Sequence, residues 1–201
     1  MLTLNIFSEN WAKRIFDTLL AAASLFVFLP VFLLFILLVI LEDGLPVFFA
    51  KESVGLSGKT FRQIKFRSMV NNAELRTGPV WARKDDPRVT KVGRFLRMTA
   101  MDELPQLFNI FKGDMSFVGP RPQRRVLVDK YLKEIPGYGE RFKVRPGLTG
   151  PAQVLLPYDA SVSDKLKLDI LYAGKHNLPG DIALVIRSFM VTFRCGWGKC
   201  A

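Results

Sequence analysis

The chain has 201 residues, a formal net charge of +11 and a pI of about 9.9, and 49% of its residues are hydrophobic. This charge indicates an anionic partner such as nucleic acid, lipid headgroups or a phosphorylated substrate. Because soluble nucleic-acid binders are rarely so apolar, we expect membrane association and no nucleic-acid partner. Cys195, Cys200 and the single His176 do not make a zinc site, and we expect free thiols.

An apolar run without charged residues covers residues 19–41 and is long enough to span a bilayer as a helix. Pro30 predicts a kink near its middle, where Ser24 can bond a freed carbonyl. Lys13 and Arg14 precede the run and a basic region follows it, so the positive-inside rule favours both ends in the cytoplasm. A re-entrant helix–break–helix satisfies this rule, and a plain kinked transmembrane anchor is the alternative.

A short hairpin is predicted after this segment, from residues 47–49 and 60–66. Lys65 and Arg67 end the second strand, where they are either phosphate contacts or solvated surface charges.

Two adjacent carboxylates, Asp102 and Glu103, lie between a basic run and a stiff Gly-Pro-Arg-Pro loop that carries Arg121. Acids flanked by cations suit a metal-bound phosphate ester, because Mg²⁺ takes a few carboxylate oxygens together with substrate phosphates. Arginine suits the phosphate because its planar fork donates two hydrogen bonds at once.

The residues around the acids match an N-cap box that starts at Thr99, which predicts an amphipathic helix to about Lys112. Its buried side would hold Leu104, Leu107, Phe108 and Phe111. The alternative is that Asp102 and Glu103 only cap this helix.

Further helices are predicted over residues 122–135, 163–173 and 181–194. Arg145 precedes a proline, as Arg121 does, so both donors lie on stiff, extended backbone. The last helix is strongly apolar, and both an interfacial position and packing on the core remain open.

Several motifs in order resemble the bacterial sugar transferases in their small monotopic form, the polyprenol-phosphate phosphoglycosyl transferases. These are KFRSM at 65–69, DPRVTKVGRFLR at 86–97, DELPQL at 102–107, KGDMS at 112–116, VGPRP at 118–122 and VRPGLTG at 144–150. Two positions depart from the family pattern: Ser53 stands where Arg is frequent, and Pro151 where Trp is frequent.

The resemblance implies that Asp102 attacks the β-phosphorus of a UDP-sugar and expels UMP. A polyprenol phosphate would then take the phosphosugar from the aspartate, which starts glycan assembly. The reaction would use Mg²⁺ held by Asp102, with Glu103 as the second catalytic residue. Downstream glycosyltransferases are possible partners. A basic binding or adaptor protein without catalysis is the alternative.

The resemblance also assigns residues, a location and an architecture. It implies that Lys65, Arg97, Arg121, Arg145 and Asp169 contact the substrate, and that Ser24 and Pro30 form the break of a re-entrant helix. We expect a helix-rich α+β chain, with a membrane segment over residues 1–43 and a catalytic domain over residues 44–201. That domain would contain a small β-hairpin and interfacial helices, and would rest among lipids on the cytoplasmic face of the bacterial inner membrane.

Overall fold

The computed structural model describes residues 11–73, 86–157 and 159–195, so Cys200 and the side chain of Cys195 lie outside the described residues. The helices are α1 (Trp11–Val27), α2 (Leu29–Asp43), α3 (Lys91–Met98), α4 (Gln106–Lys112), α5 (Arg125–Glu134), α6 (Pro151–Leu155), α7 (Val162–Lys175) and α8 (Leu178–Cys195). The strands are β1 (Phe48–Val54), β2 (Thr60–Phe66), β3 (Ser116–Val118), β4 (Gln123–Arg124) and β5 (Gly147–Thr149). The expected helix-rich α+β class is confirmed.

The N-terminal apolar run is a bent helix pair, in which α1 and α2 meet at an angle of 61°. The break lies at Phe28, and Pro30 falls in the first turn of α2, where its missing N–H is harmless. Ser24 contributes its backbone carbonyl, which accepts a hydrogen bond from the Phe28 N–H at 2.9 Å, where a side-chain bond was expected. No helix of the described residues could cross a bilayer alone, but the bent pair meets the length and composition required.

The start of α1 is fastened to the body of the protein. The Arg14 guanidinium donates to the carbonyls of Ile110 and Phe111, at 2.8 and 2.9 Å, at the end of α4. Lys13 pairs with the buried Asp181 of α8 at 2.5 Å. The start of α1 is therefore bonded both to α4 and to α8.

The end of α2 is fastened to the same body. Arg67 donates to the Asp43 carbonyl at 2.7 Å and pairs with its carboxylate at 3.1 Å. The Glu42 carboxylate accepts from the N–H groups of Lys91 and Val92, at 2.7 and 2.9 Å, and so caps the start of α3. Both ends of the bent pair are thus bound to one body.

The predicted hairpin is confirmed and is longer than expected. Strands β1 and β2 pair antiparallel from Phe48 opposite Phe66 to Val54 opposite Thr60. Strand β4 extends this sheet in the order β2-β1-β4, and β3 pairs with β5 in a separate parallel ladder.

One hydrophobic core joins the bent helix pair to the rest of the chain. Phe32 and Phe35 of α2 are 5% exposed, and their rings lie 5.5 and 5.9 Å from the ring of Phe66. Leu96 of α3 and Ile110 of α4 are fully buried in the same cluster. The predicted division of the chain into a membrane segment that ends at residue 43 and a catalytic domain that begins at residue 44 remains a prediction.

The predicted N-cap box at Thr99 is wrong, because Thr99 ends α3. Its hydroxyl donates to the Phe95 carbonyl at 2.9 Å, and the chain then turns through Ala100 at a φ of 58°. The expected single helix is a 3₁₀ turn over Met101–Glu103 followed by α4. Phe108 and Phe111 are 49% and 48% exposed, so their predicted burial is also wrong.

The helix predicted over residues 122–135 begins later, at Arg125, because Gln123–Arg124 pairs with β1 as β4. The helices predicted over 163–173 and 181–194 are confirmed as α7 and α8. Leu184 and Val185 of α8 pack on the core, whereas Phe189 is 59% exposed. The last helix therefore has both a core face and an exposed apolar face.

Gly93 and Gly174 offer a matched test of helix packing. A Cβ at Gly93 would clash with the Ser68 backbone, whereas a Cβ at Gly174 meets nothing within 4 Å. We expect Gly93→Ala to destabilise the protein by about 1–3 kcal/mol through overpacking. Gly174→Ala should stabilise it by up to about 1 kcal/mol, because alanine is the better helix former. Thermal unfolding followed by circular dichroism would check both, and equal effects would contradict the close packing of α3 on Ser68.

Candidate active site

The two carboxylates lie in the 3₁₀ turn between α3 and α4. Asp102 is 8% exposed and Glu103 is 4% exposed. The left-handed Ala100 reverses the chain after α3, which turns both acids into the protein. Buried carboxylates without partners are costly, so the surrounding charges determine their state.

Glu103 lies between two cations. Its Oε1 atom accepts from Lys65 Nζ at 2.5 Å and from an Arg121 nitrogen at 2.6 Å. Burial opposes the ionisation of Glu103, but Arg121 and Lys65 outweigh burial and hold its pKa well below the usual range. Glu103 is therefore a fixed anion that orients Lys65 from β2 and Arg121 from the loop after β3.

Asp102 is in a different environment. Within the described residues its carboxylate accepts no hydrogen bond, and Lys65 Nζ lies 3.9 Å away. Burial raises the pKa of Asp102, and the positive charges of Lys65 and Arg97 only partly offset this effect. Arg97 is oriented by donating from Nε to the Ser68 hydroxyl at 2.8 Å. Asp102 is thus the uncommitted member of the pair, next to cations that suit an anionic ligand.

Lys51 is a site residue that the sequence analysis missed. Burial, together with the charges of Lys65, Arg121 and Arg124, lowers the pKa of Lys51 to about 7, although Glu103 acts in the opposite direction. The hairpin register places Lys51 opposite Gln63 and Phe49 opposite Lys65, so Lys51 and Lys65 share a face. The sequence of β1 gave no such signal, because its burial does not alternate along the strand.

The two departures from the family pattern fit the structure. Ser53 is fully buried and donates to Gln63 at 3.0 Å, and Gln63 in turn donates to Gln106 of α4 at 2.8 Å. Pro151 is the first residue of α6, a position that proline favours.

Two predicted substrate contacts lie in other surroundings. Asp169 is 2% exposed and pairs with Arg141 at 2.8 Å. Arg141 also donates to the Arg121 carbonyl at 2.9 Å, which links Asp169 to the site loop. Arg145 donates from Nε to the Gly113 carbonyl at 2.8 Å. The structure therefore groups Lys65, Arg97 and Arg121 with the two acids. Asp169 instead contacts Arg141, and Arg145 contacts the Gly113 carbonyl.

The donor set fits a magnesium ion that is shared with a substrate. The described residues contain no cluster of three or more His, Cys, Asp or Glu side chains that would enclose a metal. Mg²⁺ is commonly bound by one or two carboxylates together with substrate phosphates. Asp102 has free oxygens for this role, whereas Glu103 is occupied by Lys65 and Arg121.

The two carboxylates should respond oppositely to loss of charge. Glu103→Gln leaves the partly buried Lys65 and Arg121 without their anion, and we expect a loss of about 1–3 kcal/mol in the free energy of unfolding, because water screens the exposed part of Arg121. Asp102→Asn removes a buried charge without a hydrogen-bond partner and should be neutral or stabilising. Thermal unfolding of the two variants would check this, and a larger loss for Asp102→Asn would contradict the assignment of roles.

Lys51 predicts a pH dependence of stability. Its pKa lies near 7 in the folded protein and below the ordinary value of 10.5, so above pH 7 the unfolded chain binds the extra proton. Stability should therefore rise with pH above about 7, by roughly 2 kcal/mol between pH 6 and 9. Lys51→Met should flatten this rise, whereas Lys59→Met, at an exposed position of the same hairpin, should preserve it. Unfolding midpoints at several pH values would measure the effect, and an unchanged slope in Lys51→Met would refute it.

Comparisons with known proteins place the chain in a family. The family model described as bacterial sugar transferase matches residues 8–195. A protein of Aeromonas hydrophila, UDP-N-acetylgalactosamine-undecaprenyl-phosphate N-acetylgalactosaminephosphotransferase, is 41% identical over 189 residues, which cover 92% of this chain and 44% of that protein.

Two further relatives act on other sugars. The UDP-glucose:undecaprenyl-phosphate glucose-1-phosphate transferase of Caulobacter vibrioides is 40% identical over 183 residues, which cover 88% of this chain and 67% of the relative. The undecaprenyl-phosphate galactose phosphotransferase of Salmonella typhimurium is 35% identical over 201 residues, which cover 93% of this chain and 41% of the relative. This chain thus spans less than half the length of two of these three relatives. With the family model matched over most of its length, the chain belongs to the bacterial sugar transferase family.

Proposed function

We propose that this protein transfers a sugar phosphate from a UDP-sugar to a polyprenol phosphate and so starts the assembly of a glycan on a lipid carrier. Family membership and the names of the relatives support the reaction class. The observation that carries the proposal is the contrast between Glu103, which is hydrogen-bonded to two cations, and Asp102, whose carboxylate accepts no hydrogen bond within the described residues and lies 3.9 Å from Lys65 Nζ. Further glycosyltransferases would then act on the product.

In the first step an Asp102 oxygen attacks the β-phosphorus of the UDP-sugar. A bond forms between that oxygen and phosphorus, the bond from phosphorus to the bridging oxygen breaks, and UMP leaves with the electron pair. A carboxylate and a diphosphate repel each other, so the site needs positive charge to bring them together. Lys65, Arg97 and Arg121 supply this charge around Asp102.

In the second step a phosphate oxygen of the polyprenol phosphate attacks the same phosphorus. The bond to Asp102 breaks, the carboxylate is regenerated, and the product is a polyprenol diphosphosugar. Covalent catalysis divides the transfer into two displacements at one site. The soluble donor and the lipid acceptor therefore do not need to bind together.

Mg²⁺ is the proposed cofactor, and Asp102 is the residue that would hold it. When bound, the ion would neutralise phosphate charge and so assist both displacements. Glu103 acts through Lys65 and Arg121, which it holds in place. Arg145 and Asp169 are proposed as outer substrate contacts, Asp169 through its link to Arg141.

We also propose that α1 and α2 enter and leave the membrane on the cytoplasmic side. Lys13 and Arg14 bind α8 and α4 at the start of the pair, and Glu42 and Asp43 bind the body at its end. Because both ends contact one body, a pair that crosses the bilayer would have to place its two ends on opposite sides of the same body. The 61° bend supports re-entry, and the positive-inside rule supports the cytoplasmic face of the inner membrane.

The apolar surface supports membrane contact next to the site. Buried rings of α2 contact half-exposed rings of α3 and α4: the ring of Phe35 lies 6.2 Å from that of Phe95, and the ring of Phe32 lies 5.9 Å from that of Phe108. Phe95, Phe108 and Phe111 are each about half exposed, which a soluble surface does not favour. An adaptor without catalysis would use this surface but leaves the paired acids and cations unexplained.

The covalent step can be tested without the lipid acceptor. The protein mixed with a UDP-sugar and Mg²⁺, but with no polyprenol phosphate, should release at most one UMP per protein molecule. Mass spectrometry should place the phosphosugar on the peptide that contains Asp102. Asp102→Asn should reduce turnover with both substrates by about a thousandfold or more.

The control is Asp129→Asn, which removes the exposed carboxylate that pairs with Arg125 on α5. This variant should retain turnover and the UMP burst. Release of UMP that strictly requires the lipid would contradict the covalent step, and full activity of Asp102→Asn would exclude Asp102 as the nucleophile. A series of UDP-sugars, each tested separately, would identify the donor.

A further inference from the structure

A cavity of about 400 Å³ lies beside the proposed site, in the size range of small-molecule pockets. Its wall is formed by the loop after β3, by the 3₁₀ segment Tyr138–Lys143, and by α6, α7 and α8. The polar side chains in this wall include Arg121, Arg141, Gln153 and Asp169.

The cavity wall contains buried polar atoms without partners. Both Nε2 and Oε1 of Gln153 have no hydrogen-bond partner within the described residues, and neither has Oδ1 of Asp169. The same holds for Nε of Arg141, whose other nitrogens bond Tyr138 and Arg121. Because buried polar groups are almost always hydrogen-bonded, these atoms of residues in the cavity wall indicate that a polar ligand or an ordered water completes their hydrogen bonding.

The cavity adjoins the acids through Arg121, which lines it and also bonds Glu103 at 2.6 Å. Gln153 lies close to the same loop. A Cβ at Gly150 would lie 2.9 Å from Gln153 Oε1 and would also clash with the Gly119 carbonyl. The Gln153 amide is therefore packed against the start of the loop that carries Arg121.

We propose that this cavity receives the sugar ring of the donor, with the Gln153 amide and Asp169 Oδ1 as its specificity contacts. This inference rests on the proposed function. The attacked phosphorus carries the sugar on one side and UMP on the other, and only the sugar stays attached to the protein after UMP leaves. A site that retains the sugar must therefore adjoin Asp102 while leaving UMP a separate path.

The chemistry of the wall selects a neutral polyhydroxyl group. Asp169 Oδ1 is an acceptor that suits a hydroxyl and repels a phosphate. The amide of Gln153 can both donate and accept, so it can bond a hydroxyl or an acetamido group. A polyprenyl chain would leave all three atoms of Gln153 and Asp169 without partners, which is unfavourable in a buried site.

Binding affinities test this inference without turnover. In the Asp102→Asn background, which forms no covalent bond, dissociation constants would be measured for UDP and for UDP-N-acetylgalactosamine, UDP-galactose and UDP-glucose. Gln153→Leu should reduce the advantage of the preferred UDP-sugar over UDP by about three- to tenfold, the value of one or two hydrogen bonds. The affinity for UDP itself should stay within about twofold.

Two further variants complete the design. Gln153→Met offers a flexible replacement if leucine does not pack, and should show the same loss. Lys167→Met, on α7 with a side chain that is 74% exposed and outside the cavity wall, should change neither affinity.

Three results would overturn the inference. Equal weakening of UDP and UDP-sugars by Gln153→Leu would place the nucleoside in the cavity. Unchanged affinities would show that water satisfies Gln153. Absence of UDP binding by Asp102→Asn and also by the unsubstituted protein with Mg²⁺ would overturn the proposed function, and the inference with it, whereas the first two results leave the proposed function standing.

Discussion

The site depends on the pairing of Glu103 with Lys65 and Arg121. Two adjacent buried carboxylates cannot both be ionised cheaply, because each charge raises the cost of the other. Two hydrogen-bonded cations on Glu103 resolve this conflict by fixing one charge and leaving Asp102 free. The three residues come from β2, from the turn before α4 and from the loop after β3. One ion-pair cluster therefore ties three separate segments together at the point where chemistry is proposed.

The loop that carries Arg121 is connected to the N-terminal helix α1 through Tyr172 and Asp181. The Tyr172 hydroxyl donates to the Val118 carbonyl, two residues before Pro120, and contacts Asp181. Asp181 in turn pairs with Lys13 at the start of α1. A short chain of buried polar contacts thus connects the proposed membrane segment to the site loop.

The sequence predicted the local features and missed the ones that depend on tertiary contacts. The hydrophobic periodicity of the sequence predicted the hairpin, α7 and α8, and the position of Pro30 within the apolar run predicted the bend between α1 and α2. The N-cap box at Thr99 failed because Thr99 instead bonds back to Phe95 at the end of α3, a competition that a short motif does not resolve. Phe108 and Phe111 looked like core residues because a helix pattern distinguishes apolar from polar faces, not protein from lipid.

The predicted site shows the same limit. Long motifs placed Lys65, Arg97 and Arg121 correctly beside the acids, because each motif position is tied to a local backbone shape. Lys51 and Gln153 belong to no charged or glycine-rich motif, and their importance follows from burial and from missing partners. Such properties arise only when distant segments pack together.

The composition of the chain agrees with the proposed position of this ionic site beside a lipid surface. In the proposed second step the phosphate of a lipid carrier is the nucleophile and lies at the headgroup level, so the protein must present cations there without burying them in hydrocarbon. The structure suits both demands: half-exposed Phe95 and Phe108 lie against the bent helix pair, while Arg97, two residues after Phe95 in α3, donates from its Nε to Ser68. Nearly opposite faces of one short helix would thus serve the proposed lipid contact and the proposed phosphate contact. The high charge and the high hydrophobicity of the chain would therefore both be required at the proposed boundary between membrane and water.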